Sequence, residues 1–389
     1  MPLRLAAEFV CGAHGEQLTE ETAPRLTWDA AMAVATGTGS AGHALRSIVY
    51  GVRGGVDVWR HKQAIRRDHP LLDAVLMALR TSCDSRDFAA LHKCGRRDLA
   101  ALRGIVPRAR RAEYRDWNNC AVAAGLINDK AECNRRLRAA GLEAPYQIHL
   151  GPETMMRSGN SARTVDFFHP AVPPGTRWMI KDRHGLQGES VWLGRACHRF
   201  EPGRDADANE KPDVEVDEKG AELEALARSG RLVAEELLRP EDWFVTVGDS
   251  ALPTLRVVTS KLRGQTEVVG MVLFRGGPGA VAANRRQGGT AHLVHEDGSC
   301  ANGLDAQGRS RGPCTYRLPA SRTKEIHSMC IGAHDLFPCV GSVGWDVGLS
   351  SRGPFLLEGN PNWGMNVPQL MPGRPMLEEF RTTRFRDGW

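Results

Sequence analysis

Val343-Gly344-Trp345-Asp346-Val347-Gly348-Leu349-Ser350-Ser351-Arg352-Gly353-Pro354-Phe355-Leu356-Leu357-Glu358-Gly359-Asn360 is the stretch that decides the fold. Two alternating apolar runs flank Ser-Ser-Arg-Gly, which is a hairpin signal. A turn centred on Arg352 sets Asp346 directly across from Glu358. Opposed residues of an antiparallel pair have Cβ atoms only about 4.5–5.5 Å apart, and like charges there repel. Side chains alternate along a strand, so Asn360 shares the face of Glu358, while Val347, Leu349, Phe355 and Leu357 are expected on the other. Three oxygen-bearing side chains then converge. A hard divalent cation, Mg2+ with Mn2+ as the alternative, relieves the repulsion and is held in this way beside substrate phosphates. Gly348 and Gly359 would leave room for a phosphate. The competing reading is a carboxylate pair with one member protonated or paired with an arginine.

Working outward, a phosphate needs counter-charge. Lys181 closes the apolar strand Arg177 to Ile180, and Gly185, Gly188 and Ser190 follow before a second apolar run, Ser190 to Leu193. One ammonium and several backbone N–H groups could lie over a polyphosphate there. Arg256 interrupts an otherwise apolar strand, Thr254 to Thr259, and so needs an anionic partner, either a transferring phosphoryl group or a structural carboxylate. His292 and His295 form H-x-x-H in a strand rather than on a helix, which argues against a metal site. Gly37 to Gly42 matches G-x-G-x-x-G, but the segment before it, Trp28 to Ala35, reads as a helix and not as the strand a dinucleotide fingerprint requires.

Around these motifs, the 389 residues, 41% hydrophobic and 25% charged, exceed what one core usually serves and fit a mixed α/β protein of two or three packed parts. Residues 1–125 read as mainly helical, with apolar spacing of three and four in Leu71 to Arg80 and Asp98 to Arg103. Asp129 to Gly141 reads as a helix with a glycine stop, Ala144 to Leu150 as extended, and a polar loop is expected from there to Arg177. Ala221 to Ser229 is expected as a helix after an acidic insertion at about 201–219, and Leu232 to Leu238 as a strand. Thr254 to Thr259, Glu267 to Phe274 and His292 to Val294 read as further strands, and a helix from Thr323 to Phe337 precedes the hairpin.

Formal net charge is +5, but Lys93 to Arg138 carries twelve Lys/Arg against five Asp/Glu. A nucleic-acid surface is one reading of that run and a solvated helix face is the favoured one. Ten scattered cysteines without a C-x-x-C pair read as reduced thiols rather than a zinc site. Arg4 and Glu8 interrupt the apolar start and no run approaches a membrane span, so a cytoplasmic protein without membrane association is expected.

At these residues the chain resembles ATP-grasp proteins, closest to the sugar-transfer-associated branch, over roughly residues 125 to 370. The matching pieces occur in the family's order. They are Asp129-Lys130 opening a helix, Lys181 with its glycine loop, Ala234-Glu235-Glu236-Leu237-Leu238, Thr254 to Thr259, Asn284 with Gly288-Gly289, and Gly344-Trp345-Asp346 through Glu358-Gly359-Asn360. The last, followed by Pro361 and Gly364, also resembles the end of D-alanine ligases. The sequence departs at Asp182, where proline commonly follows the lysine, in the number of loop glycines, and at Ala283.

The resemblance implies an ATP-grasp α+β fold clasping ATP, with adenine against the hinge from Glu235 through Glu236 to Leu238 and ribose near Asp242 or Glu241. Lys130 and Lys181 would contact phosphates, Arg256 the transferring group, and Asp346, Glu358 and Asn360 the Mg2+. The implied parts are a helical domain at 1–125, a lysine-and-hinge subdomain at 126–240 and a metal-site subdomain at 241–389. The implied reaction joins a small carboxylic acid and an amine through an acyl phosphate, releasing ADP and phosphate. A kinase on the same fold, a non-catalytic nucleotide-binding module and, third, nucleic-acid binding are the rivals. A homodimer is a common outcome for soluble enzymes.

Overall fold

The computed structural model describes residues 40–65, 69–94, 98–111, 119–158, 164–185, 191–198, 218–249, 251–262, 264–285 and 288–364. They fall into two compact units, one holding the described residues up to 111 and the other those from 119 to 364. The glycine motif at 37–42 lies largely outside the described residues, and so do Gly188, Ser190 and most of the acidic insertion.

The first unit is helical: α1 (Ser40–Arg60), α2 (Lys62–Ile65), α3 (Leu71–Thr81) and α4 (Ser85–Lys93), then 3-10 turns at Leu99–Gly104 and Arg108–Arg110. The expected helix at Asp98 to Arg103 is thus a 3-10 segment, opened by the Asp98 carboxylate accepting from Ala100 N–H. Helix α1 crosses α3 backbone to backbone. A Cβ on Gly51 would sit 2.4 Å from the Leu79 carbonyl oxygen, and one on Gly54 2.3 Å from that of Cys83. Asp84 caps α4 in a reciprocal box with Asp87, satisfying N–H groups that the helix itself leaves unpaired.

The second unit opens with α5 (Ala121–Asn128) and α6 (Lys130–Ala139). Asp129 accepts from Ala131 and Glu132 N–H at the start of α6, and Gly141 at φ 75° follows its end, as the sequence suggested. A six-stranded sheet follows, from β1 (Gln147–Leu150), β2 (Met155–Ser158), β3 (Thr164–Phe168), β4 (Arg177–Asp182), β5 (Val191–Ala196) and β6 (Leu232–Glu236), in the order β1-β6-β4-β5-β3-β2. Its pairs are antiparallel except β3 with β5. The polar loop expected before Arg177 therefore holds two strands. Their signal is the alternation that buries Val165 and Phe167 between half-buried neighbours. Helix α7 (Glu218–Arg228) covers this sheet with Leu223 and Ala227 against Leu150, Phe167, Ile180 and Ala234.

The other sheet is antiparallel and five-stranded, in the order β11-β10-β7-β8-β9, from β7 (Thr254–Leu262), β8 (Gln265–Arg275), β9 (Thr290–Leu293), β10 (Ser342–Ser350) and β11 (Gly353–Asn360). A short α8 (Asp242–Thr246) precedes it, and α9 (Ala320–Asp335) lies before β10. One face carries Leu255, Val257, Leu273, Val343, Trp345, Val347 and Leu356 into a core with Ile127 of α5, Leu137 of α6 and Ile326, Cys330 and Ala333 of α9. Within that core the Trp345 indole donates to Thr259 Oγ1 at 3.0 Å, and Thr259 meets His334 Nδ1 at 2.8 Å. His334 Nε2 donates to the Val340 carbonyl at 2.7 Å, leaving Nδ1 to accept. Burial pushes this imidazole down to about 4, so the chain of bonds is built on a neutral ring.

Candidate active site

The hairpin of β10 and β11 places Asp346 opposite Glu358, as expected, but by another route. The tip is a two-residue turn, Ser351-Arg352, closed by Ser350 opposite Gly353, so the first pairs run Gly348 with Phe355 and Val347 with Leu356. An irregularity between Asp346 and Val347 then leaves Leu357 as an extra residue and shifts the register by one. The bulge also corrects the assignment of faces. Leu356 enters the core, whereas Phe355 pairs with Gly348, and the Leu357 side chain lies 3.2 Å from where a Gly348 Cβ would be. Phe355 and Leu357 therefore lie on the carboxylate face. Neither glycine makes room for a phosphate: Leu252 and Leu357 cover Gly348, and Gly359 packs against Ile127 and Trp345 in the core.

On the carboxylate face Asn360 Nδ2 donates to Glu358 Oε1 at 3.1 Å and to Asp346 Oδ2 at 3.3 Å. The next strand brings Arg256 directly opposite Asp346, and its Nη2 bonds Asp346 Oδ2 at 2.9 Å while Nε bonds Oδ1. Asp346 is thus a carboxylate partner of Arg256, the structural ion pair that the sequence offered beside a transferring phosphoryl group. From α6, Lys130 Nζ stands 3.7 Å from Glu358 Oε2 and donates to the Gly185 carbonyl. The α6 start is pinned there by Arg183, whose guanidinium forks onto Asp129 at 2.7 and 2.6 Å and whose carbonyl accepts from Lys130 N–H.

Lys181 on β4 pairs with Glu235 on β6, which also accepts from Gln147 Nε2. The two are diagonal neighbours, since Met179 lies across from Glu235 and Lys181 across from Val233. Burial disfavours the Lys181 ammonium, but Glu235, Glu358 and Asp346 together carry its pKa above the usual lysine value. Burial likewise pushes up the Glu358 carboxyl, and Lys130, Lys181 and the Asn360 amide outweigh it and hold the group below the carboxylate range. Asp346 goes the other way: burial, reinforced by Glu358 and opposed by Arg256, pushes it up to about 6. Three cations thus meet three carboxylates in a half-buried space between the two sheets.

The remaining expected residues are more dispersed. Gly185 turns its carbonyl towards Lys130 and spends its N–H on the Asp182 carbonyl, so it offers no donor to a phosphate here. Glu236 accepts from Tyr146 N–H at 2.9 Å and pairs with Arg352 at 3.0 Å, and Leu238 is buried. Asp242 is exposed and paired with Arg239, while Glu241 accepts from the Tyr316 hydroxyl at 2.9 Å. His292 is satisfied by Thr290 and the Ala301 carbonyl, as a structural histidine would be. Two features escaped the sequence reading. One is Glu235 as the partner of Lys181, signalled by opposite charges in two apolar strands. The other is the apolar floor of Leu252, Phe355 and Leu357, which depends on the bulge.

Among the described residues no group of three or more His, Cys, Asp or Glu side chains gathers into a cation site. The two carboxylates are hard oxygen donors and suit Mg2+, which takes one or two carboxylates and completes its shell with phosphate and water, while Asn360 turns its amide N–H groups to both carboxylates and would offer its oxygen after a flip of the amide. Asp346 Oδ1 and Glu358 Oε1 each accept one of these bonds and keep a lone pair, whereas Asp346 Oδ2 accepts from both Arg256 and Asn360.

With this geometry in view, the chain belongs to the sugar-transfer associated ATP-grasp family, whose model matches residues 109–384. The fold is the ATP-grasp fold. Among solved structures, the chain is similar to D-alanine–D-alanine ligase from Bacillus anthracis complexed with ATP, at 12% identity and TM-score 0.40, covering 70% of this chain and 72% of that one. It is also similar to the VanG D-Ala:D-Ser ligase from Enterococcus faecalis, at 13% identity and TM-score 0.39, covering 77% and 70%. A third is the L-amino acid ligase from Bacillus licheniformis, at 13% identity and TM-score 0.33, covering 68% and 47%. No curated protein matches in sequence.

Proposed function

We propose that the protein is an ATP-dependent carboxylate–amine ligase that forms an acyl phosphate and releases ADP and phosphate. The observation that carries the reading is the convergence of Lys130, Lys181, Arg256, Asp346, Glu358 and Asn360 on one space between two sheets. A binding module would not require both the carboxylate pair and three cations around it.

In this reading the two sheets are the two lobes that clasp ATP, following the helical part of the chain. Adenine lies between the β6 hinge, Glu235 to Leu238, and the floor of Leu252 and Leu357. Asp346, Glu358 and Asn360 would hold Mg2+, which would supply charge neutralisation to the nucleotide. Lys181 exchanges Glu235 for phosphate oxygens and Lys130 exchanges the Gly185 carbonyl, so each ammonium moves from an internal acceptor to the nucleotide. Arg256 keeps Asp346 ionised and oriented while its remaining N–H groups face the group in transfer. The substrate carboxylate attacks the γ-phosphorus and ADP leaves. The amine then attacks the acyl carbon, expelling phosphate. Positioning and charge neutralisation do the work, without a protein nucleophile.

The test is phosphorus NMR of the protein with Mg-ATP and pooled small carboxylic acids, amino acids and amines. ADP and free phosphate that require both an acid and an amine are the expected result. A stable new phosphoester would make the protein a kinase instead.

A further inference from the structure

We infer that the helical unit docks on anionic lipid surfaces through the apolar stripe shared by α1 and α3. Five large apolar side chains are exposed there: Ile48 and Trp59 on α1, and Leu72, Leu76 and Leu79 on α3, with Leu72 69% and Trp59 55% exposed. Their spacing puts each set on one helix face. On α1, Ile48 and Trp59 share a side with half-buried Val52 and Val56, and on α3 the residues recur at four and three. The two faces adjoin, because the Leu79 side chain lies 3.1 Å from where a Gly55 Cβ would be.

Among the described residues the core of this unit is built from Val58, Ala74, Ala78, Leu91, Leu102 and Val106, and the stripe takes no part in it. A soluble domain rarely leaves so many large apolar groups contiguous without a use for them.

Charge decides what covers it. Residues 40–111 carry fifteen Lys/Arg against six Asp/Glu, in a chain whose totals are 51 and 46. Arg53 and Arg60 of α1 and Arg80 of α3 are exposed beside the stripe, and Lys62 stands 5.2 Å over the Trp59 ring. Asp57 is part-buried, accepting from Ser85 N–H beside His61, and Asp73 is the exposed acid on α3, two turns before Arg80. A basic rim around a Trp/Leu/Ile face matches an anionic headgroup layer over acyl chains, with the helices lying in the interface. Nucleic acid would use the rim but not the stripe. No helix among the described residues is long and apolar enough to cross a membrane, so the contact is peripheral. The surface was illegible in the sequence because it arises only when α1 and α3 cross. It is independent of the ligase reading, since none of its residues belongs to the carboxylate site.

The test is co-sedimentation of the full chain with vesicles of phosphatidylcholine alone and of phosphatidylcholine with phosphatidylglycerol. Binding to the anionic vesicles, absent with neutral ones and declining with salt, is expected. Trp59→Ser with Leu76→Ser should weaken it by at least about tenfold, the loss of two buried apolar groups, and Arg53→Glu with Arg60→Glu should abolish it. Unchanged circular dichroism and an unchanged melting temperature in both variants keep the comparison clean. Three results would overturn the inference: no binding to anionic vesicles, equal binding to both, or a wild-type dimer in solution that the Trp59/Leu76 variant dissolves, which would make a second copy the occupant. Tight DNA binding unaffected by the Trp59/Leu76 variant, without vesicle binding, would assign the basic rim to nucleic acid.

Discussion

Replacing Glu358 by Gln is the sharpest perturbation of the carboxylate site, because it removes one charge and almost no volume. In the folded protein attractive and repulsive terms change with opposite sign. The attraction of Lys130 Nζ, 3.7 Å away, is lost, and at an effective dielectric near 20 it amounts to about 4 kcal/mol. The repulsion from Asp346, directly opposite on β10, disappears as well, and at a separation of roughly 5 Å it amounts to about 3 kcal/mol. The Asn360 contact can persist, because the Gln carbonyl oxygen still accepts. The attraction of Lys181 is lost too and the burial penalty on the charge is relieved, two further terms of opposite sign, so net stability should change by about 1 kcal/mol, a shift of roughly 2–4 °C in Tm. Turnover behaves differently. A metal-held phosphate loses several kcal/mol of transition-state stabilisation when a carboxylate ligand is removed, and 4 kcal/mol is about a thousandfold in kcat. The assay pairs a thermal melt with ADP release under the substrates found by phosphorus NMR, and adds Mn2+ binding in the presence of ADP by electron paramagnetic resonance. A variant that melts with the wild type yet turns over within tenfold of it would refute the metal assignment.

Arg256→Lys keeps the charge but loses the fork on Asp346; kcat should fall by about ten- to a hundredfold with KM for ATP nearly unchanged, since a lysine is a point charge that cannot hold both oxygens. A large rise in KM with kcat retained would move Arg256 from the transferring group to ground-state binding. His334 sets part of the acid stability. Its folded pKa is pushed down to about 4 by burial, while an unfolded histidine titrates near 6.5. The unfolded chain therefore binds more protons between those values, and the contribution, complete above about pH 6.5, is lost as pH falls towards 4. By pH 5 the loss should be about 2 kcal/mol, and urea denaturation at pH 7 and 5 should show that much less pH dependence in His334→Gln than in the wild type.

What could be read from the sequence, and what could not, divides along a physical line. Strand alternation and turn chemistry act within a few residues, and they were enough to bring Asp346, Glu358 and Asn360 together and to open α6 at Asp129. The charges that complete the site meet across distances the sequence does not express. Lys181 finds Glu235 because β4 and β6 are neighbours in the sheet although 54 residues separate the pair, and Lys130 reaches Glu358 because α6 packs on β11 as well as on the sheet that follows it. Between these scales lies the bulge at Leu357. Phe355, Leu356 and Leu357 are all apolar, so hydrophobic pattern alone cannot say which of them shares a face with the carboxylates. The assumed turn centre was wrong by half a residue and the bulge restored the register, so the opposition of Asp346 and Glu358 came out right while Phe355 and Leu357 were put on the wrong side. The bulge matters chemically, because it sets the apolar side chains of Phe355 and Leu357 beside the charged cluster.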